Sequence, residues 1–207
     1  MKNVDYTLYL VTDRDVLRGR DLIKCIEDSI LGGVTLVQLR EKNVTSREFY
    51  EIAIKVKEVT SKYNVPLIIN DRLDIALAID ADGLHIGQKD LPASVARKIL
   101  GKDKILGVSA ATLQEALKAE KDGADYLGVG AVFSTSTKKD TRDVSYETLS
   151  SITSSVNIPV VAIGGINESN VTKLKGSNID GIAVVSCILG KENVKVAAEK
   201  MLDRFKE

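Results

Sequence analysis

The sequence predicts an α/β protein folded as a single-domain (β/α)8 TIM barrel spanning residues 1–207. Three observations carry that expectation. Short β-branched runs alternate with longer helical stretches along the whole chain, which implies right-handed βαβ units. The short runs are nearly continuously apolar, as in Ile158-Pro159-Val160-Val161-Ala162-Ile163, a pattern that suits parallel strands buried on both faces. Eight such units occur with no linker or low-complexity segment between them, and eight units close a barrel. An open doubly wound sheet would need two edge strands, and no short charged run suits that place.

Taken in order, the strands fall at 7–11, 35–39, 67–69, 83–86, 105–108, 126–129, 160–163 and 181–184. Helical patterns lie between and after them at 21–31, 47–62, 73–79, 94–100, 113–121, 146–154, 169–175 and 193–205. Thr45 with Glu48 and Thr112 with Glu115 read as capping boxes, each hydroxyl serving a free amide while the Glu reaches back. Gly101, Gly123 and Gly176 fall where helices should stop.

Of the 207 residues, 44% are hydrophobic and 28% charged, enough to bury a core and remain soluble. Lys+Arg and Asp+Glu both number 29, so the chain as a whole offers no field that would attract nucleic acid or an anionic membrane. Any anion site must be local. Cys25 and Cys187 are too few and too far apart for a disulfide framework or a zinc ribbon, and read as buried thiols. No apolar run approaches the roughly 20 residues that span a bilayer, and no signal-like segment follows the polar start. These features predict a cytoplasmic protein with small-molecule partners, no nucleic acid and no membrane; a homo-oligomer is left open.

Barrel enzymes react at the carboxyl ends of their strands, so those ends decide the chemistry. Alternation along the second strand puts Gln38, Arg40 and Lys42 on one face, together with Val34 and Leu36. Two cations at a barrel mouth call for an anion to meet them. The third strand runs into Asn70 and Asp71, the fourth into His85 and Asp90; neighbouring strands lie about 4.8 Å apart, so Asp71 and Asp90 can converge on one cation such as Mg²⁺, the alternative being that Asp71 caps the next helix and Asp90 begins a turn before Pro92. His85, the single histidine, has no nucleophile beside it to activate and reads as a satisfied, partly buried ring. Ser109 ends the fifth strand. The loop after the sixth, with Thr135, Ser136, Thr137 and Lys138, offers hydroxyls and cations that can wrap a phosphate, and reads equally well as a solvated loop. Gly164-Gly165 after the seventh strand and Val185-Ser186 after the eighth occupy the usual phosphate site of such barrels, where paired glycines let amides approach an anion. Two separate anion features imply two phosphorylated substrates.

The stretches YLVTDR, VQLREK, IINDRLDIALAIDADGLHIGQKDLP, LGVSAAT, STSTKKDT and IPVVAIGGIN resemble thiamine phosphate synthase, from Tyr9 to Ser186. The resemblance implies an enzyme, a transferase that joins a hydroxymethylpyrimidine diphosphate to a thiazole phosphate, releasing diphosphate and forming thiamine monophosphate. It implies that Gln38, Leu39, Arg40, Glu41, Lys42, Asn70, Ser109 and Lys138 hold the pyrimidine diphosphate. Lys138, Arg40 and Ser109 are then the catalytic group. Asp71 and Asp90 bind Mg²⁺, and Thr135, Ser136, Thr137, Gly165, Val185 and Ser186 hold the thiazole phosphate. Ala131 and Ser134 stand where the family often has Pro, and Lys89 where an acidic residue is frequent; none of these removes a ligand. A thiazole tautomerase on a similar barrel would not need the diphosphate and metal residues, and a non-catalytic regulator would not need Mg²⁺.

Overall fold

A computed structural model of the chain describes residues 4–135 and 142–207. Its eight strands form one closed parallel barrel in sequence order, with the last strand pairing back to the first. The strands are β1 (Leu8–Val11), β2 (Leu36–Leu39), β3 (Leu67–Asn70), β4 (Gly83–Ile86), β5 (Ile105–Ala110), β6 (Tyr126–Val129), β7 (Val160–Ile163) and β8 (Gly181–Val184). Around them lie α1 (Arg14–Leu17), α2 (Leu22–Leu31), α3 (Ser46–Lys62), α4 (Leu73–Ala78), α5 (Ala93–Leu100), α6 (Leu113–Lys121), α7 (Tyr146–Thr153), α8 (Ser186–Leu189) and α9 (Val194–Lys206). Closure removes the edges that an open sheet would have had to protect.

Each expected strand is present to within two residues at either end. The helical pattern at 169–175 closes instead as a 3₁₀ turn, Val171–Leu174, with no side-chain cap at Asn170. Two one-turn helices escape a periodicity reading because four residues hold no period: α1, capped by Asp13, and α8. The Thr45–Glu48 capping box is complete. The second is half formed: Thr112 accepts from the Glu115 amide, but the Glu115 carboxylate takes the Ala111 amide and the Arg142 guanidinium instead. Gly101, Gly123 and Gly176 all sit at positive φ just past the end of a helix or of the 3₁₀ turn, where a Cβ would strain the chain.

Two apolar layers follow from strand alternation. Outward-facing residues such as Leu8, Leu10, Val37, Leu67 and Leu127 pack against the helices. Inward-facing Tyr6, Tyr9, Leu36, Ile68, Ile105 and Tyr126 fill the barrel itself. Val34 belongs to the outer layer, not to the inward face expected for it. β2 begins only at Leu36, so alternation does not extend back to Val34. Gly107 makes room for the largest interior group, since a Cβ there would lie 2.1 Å from the Tyr126 ring. Both cysteines are buried thiols; burial raises the pKa of each, that of Cys187 to about 12, so neither is a reactive thiolate at neutral pH.

One side chain ties the underside of the barrel together. Arg97 of α5 donates to the carbonyls of Gly101 (2.6 Å), Lys104 (2.8 Å) and Gly123 (2.9 Å) and pairs with Asp125. Arg97→Ala strips those carbonyls of a charged donor. It is expected to lower stability by about 2–3 kcal/mol, read as a lower urea midpoint, with kcat and KM of the folded fraction unchanged.

Candidate active site

The carboxyl ends of the strands surround a cavity of about 670 Å³. β1 and β2 supply Thr12, Asp13, Gln38, Arg40 and Lys42 to its wall. β3, β4 and β5 supply Asn70, Asp71, His85, Asp90 and Ser109. The far side carries Gly130, Ala131, Thr135, Gly164, Gly165, Val185 and Ser186. Ser136, Thr137 and Lys138 lie outside the described residues.

β2 splits its residues as alternation requires. Gln38 points inward, is buried, and its Nε2 donates to the Tyr9 hydroxyl at 2.7 Å. Arg40 is anchored twice. Its amide donates to Thr12 Oγ1 at 2.9 Å, and its guanidinium donates to Asp13 Oδ2 at 2.9 Å. Asp13 also caps α1 by accepting from the Asp15 and Val16 amides, so the cation is held by a carboxylate that is itself fixed. Leu39 and Glu41 take the other face. Leu39 packs in the outer apolar layer, and Glu41 accepts from Arg14 Nε at 2.8 and 2.9 Å. Their side chains turn away from the cavity, which leaves main-chain contact as the role open to them.

The two aspartates do come together. Register sets Asn70 beside His85 on adjacent strands, so the residues that follow each strand meet at the rim. Asp71 adopts a left-handed backbone (φ 61°), donates its amide to His85 O at 2.8 Å, and accepts from Asn70 Nδ2 at 2.7 Å and from the Lys42 ammonium. It does not cap α4, whose N-cap position is Arg72. Asp90 accepts from the Gly87 amide at 2.7 Å. Partial burial of its carboxyl, and then the neighbouring Asp71 carboxylate, push the Asp90 pKa up despite that bond. Two crowded carboxylates with Lys42 as counter-charge form a hard oxygen donor set of the kind Mg²⁺ takes alongside water and phosphate. No cluster of three or more His, Cys, Asp or Glu side chains able to hold a metal occurs among the described residues, so further ligands would have to come from water or substrate.

On the opposite side, Gly164 and Gly165 have φ of 103° and 65°. A Cβ on Gly165 would lie 2.5 Å from Ser134 O and 2.7 Å from Phe133 O, so only glycine lets the two loops close on one another. The Gly165 carbonyl is held by Asn167 Nδ2 at 3.1 Å and Asn170 Nδ2 at 2.9 Å. Val185 and Ser186 open α8 beside it, where first-turn amides lack helical partners.

Sequence reasoning missed Asp13, Tyr9, Tyr126 and Arg142. The signals for the tyrosines were a phenol in otherwise aliphatic strands at the inward parity; for Asp13, a capping residue directly after β1. Arg142, paired with Glu115 at 2.7 Å, adds a cation to the cavity wall and had no motif to betray it. His85 is buried and hydrogen-bonded to Tyr126 and Ser109, as expected of a satisfied ring, but the expectation that no nucleophile lies beside it fails: the fifth strand brings Ser109 Oγ to 2.9 Å from its Nε2, a contact between neighbouring strands that their sequence separation hides.

Comparison with known proteins agrees with this geometry. The family model described as thiamine monophosphate synthase matches residues 8–188. A thiamine-phosphate synthase of Clostridium tetani is 68% identical, covering 100% of this chain and 99% of its own length. One from Alkaliphilus oremlandii is 61% identical over 96% of this chain and 95% of its own. A solved thiamine phosphate pyrophosphorylase from Pyrococcus furiosus superposes with a TM-score of 0.89 at 41% identity, covering 98% of this chain and 96% of that one. Matches of this strength across the full length mean that the chain belongs to the thiamine monophosphate synthase family, transferases of thiamine biosynthesis.

Proposed function

We propose that this barrel, as one catalytic domain, condenses a 4-amino-2-methyl-5-(diphosphooxymethyl)pyrimidine with a thiazole phosphate, giving thiamine monophosphate and diphosphate. The observation that carries the reading is that one cavity is lined both by the cations and carboxylates of β2–β4 and by the glycine–serine turns after β7 and β8. Two anionic reactants can therefore lie side by side.

In this reading Arg40 and Lys42 meet the diphosphate as it leaves, and Asp13 keeps Arg40 aimed without consuming all of its donors. Lys138 adds a third cation, on the strength of the sequence resemblance. Asp71 and Asp90 would hold Mg²⁺, which would supply positive charge against the departing diphosphate. Gln38 and Asn70 orient the aminopyrimidine, whose ring nitrogens and amino group stabilise the methylene cation left by dissociation. Ser109 contributes a hydroxyl at the same wall. Gly165, Val185 and Ser186, with Thr135, Ser136 and Thr137, hold the thiazole phosphate so that its ring nitrogen captures the cation, a contribution of positioning. No nucleophile–base pair is required: the Ser109 hydroxyl, 2.9 Å from His85 Nε2, orients the substrate and forms no bond to it. The setting is cytoplasmic; among the described residues no helix is long and apolar enough to cross a membrane.

The test is diphosphate release from the two substrates, with and without Mg²⁺. Release that needs both substrates and the metal is the expected result. Isomerisation of a thiazole phosphate alone, or binding without turnover, would overturn it.

A further inference from the structure

We propose that a one-way chain of hydrogen bonds across the barrel, Gln38–Tyr9–Tyr126–His85–Ser109, fixes the Ser109 hydroxyl as a donor into the mouth, with Tyr9 and Tyr126 as positioning residues. Its effect on turnover rests on the function proposed above; the proton order does not.

The order follows from the donor inventory. Gln38 Nε2 donates to Tyr9 Oη at 2.7 Å, so the Tyr9 proton must serve another acceptor. That acceptor is Tyr126 Oη, 2.7 Å away. Tyr126 then directs its own proton to His85 Nδ1 at 2.9 Å. An imidazole that accepts at Nδ1 carries its proton on Nε2, and Nε2 lies 2.9 Å from Ser109 Oγ. Ser109 accepts there and turns its own proton toward the cavity it lines. Five residues from five different strands thus share one polarity.

Burial pushes both phenol pKa values up, so both hydroxyls stay neutral and each carries one proton. Phenylalanine would fill the same volume at 9 and 126, so packing alone does not call for the two hydroxyls. Reversing the chain means turning over the Gln38 amide and, with it, every bond as far as Ser109. An exocyclic amino group of a bound pyrimidine, donating to Gln38 Oε1, would hold the amide as it stands. Substrate seated at one wall thereby sets the donor at the other.

His85 is the only histidine, so ¹⁵N-histidine labelling reports this ring without further assignment. Long-range ¹H–¹⁵N correlation of the substrate-free enzyme at neutral pH should show the Nε2–H tautomer. A proton on Nδ1, in either the other tautomer or the imidazolium, overturns the proposal. Tyr126→Phe should bring in a second tautomer and lower kcat about tenfold, the loss of roughly one oriented hydrogen bond, with KM for the thiazole phosphate within about twofold. An unchanged ring spectrum or an unchanged kcat in that folded variant also overturns it. Should Tyr126→Phe not fold, Tyr9→Phe removes the bond that orders Tyr126 and gives the same reading by the same criteria. Absence of diphosphate release from the wild type would instead strike at the function proposed for the site and leave the tautomer result standing.

Discussion

Asp90→Asn is expected to lower turnover by about 10²- to 10³-fold, the scale of losing one preorganised electrostatic group, and to raise the Mg²⁺ concentration needed for half-activity. The variant is nearly isosteric and its amide oxygen can still accept from Gly87, so the turn at 87–90 persists. What disappears is one of two crowded negative charges. The pH dependence has a definite sign. The Asp90 pKa is raised, so wild-type Mg²⁺ affinity should weaken as pH falls through that raised value, because the ligand form is the ionised one. The raised pKa also means that charge on Asp90 costs metal-free stability at neutral pH and costs nothing in acid, where the group is protonated. Asp90→Asn should therefore leave the metal-free melting temperature unchanged or slightly higher, a small effect because the carboxyl is only partly buried. Titrations of rate and of melting temperature against Mg²⁺ check both halves. An unchanged Mg²⁺ requirement would remove Asp90 from the metal site.

Gly165→Ala should raise KM for the thiazole phosphate by about 10²-fold, the penalty for misplacing a reactant by roughly 1 Å. The added methyl meets two main-chain carbonyls, not a flexible side-chain tip, and it sits at positive φ. The loops after β6 and β7 must separate to admit it, and the anion pocket widens with them. The pyrimidine side is anchored from β1–β5, so KM for the pyrimidine diphosphate should move little. Steady-state kinetics with each substrate varied in turn separate these outcomes. Equal rises in both constants would show that the two pockets are not distinct.

The barrel itself was legible because its strands are buried on both faces, and such runs announce themselves as unbroken apolar segments. Asp71, Asp90, Arg40 and Gly165 were legible for a different reason: each lies within four residues after an apolar run, and the architecture then places it at the mouth. Orientation was not legible. Nothing in the order Leu39-Arg40-Glu41 says that Arg40 will be drawn to Asp13 from another strand, or that Glu41 will turn outward to Arg14. Nor does a sequence show that Gly107 exists to admit the Tyr126 ring, since that contact joins neighbouring strands 19 positions apart in the chain. Val34 misled because the strand starts two residues later than its apolar run.

The aromatic plug has a kinetic consequence. Tyr6, Tyr9 and Tyr126 stopper the barrel below the reacting groups, so among the described residues the chamber opens toward the carboxyl ends of the strands. Whatever docks deepest must arrive first and depart last. In the proposed reaction the pyrimidine is the deeper reactant, because Gln38, which would orient it, is hydrogen-bonded directly to that stopper through Tyr9. Traffic through the enzyme should then be ordered, and the finished product, filling the passage from end to end, must clear it before another pair can load.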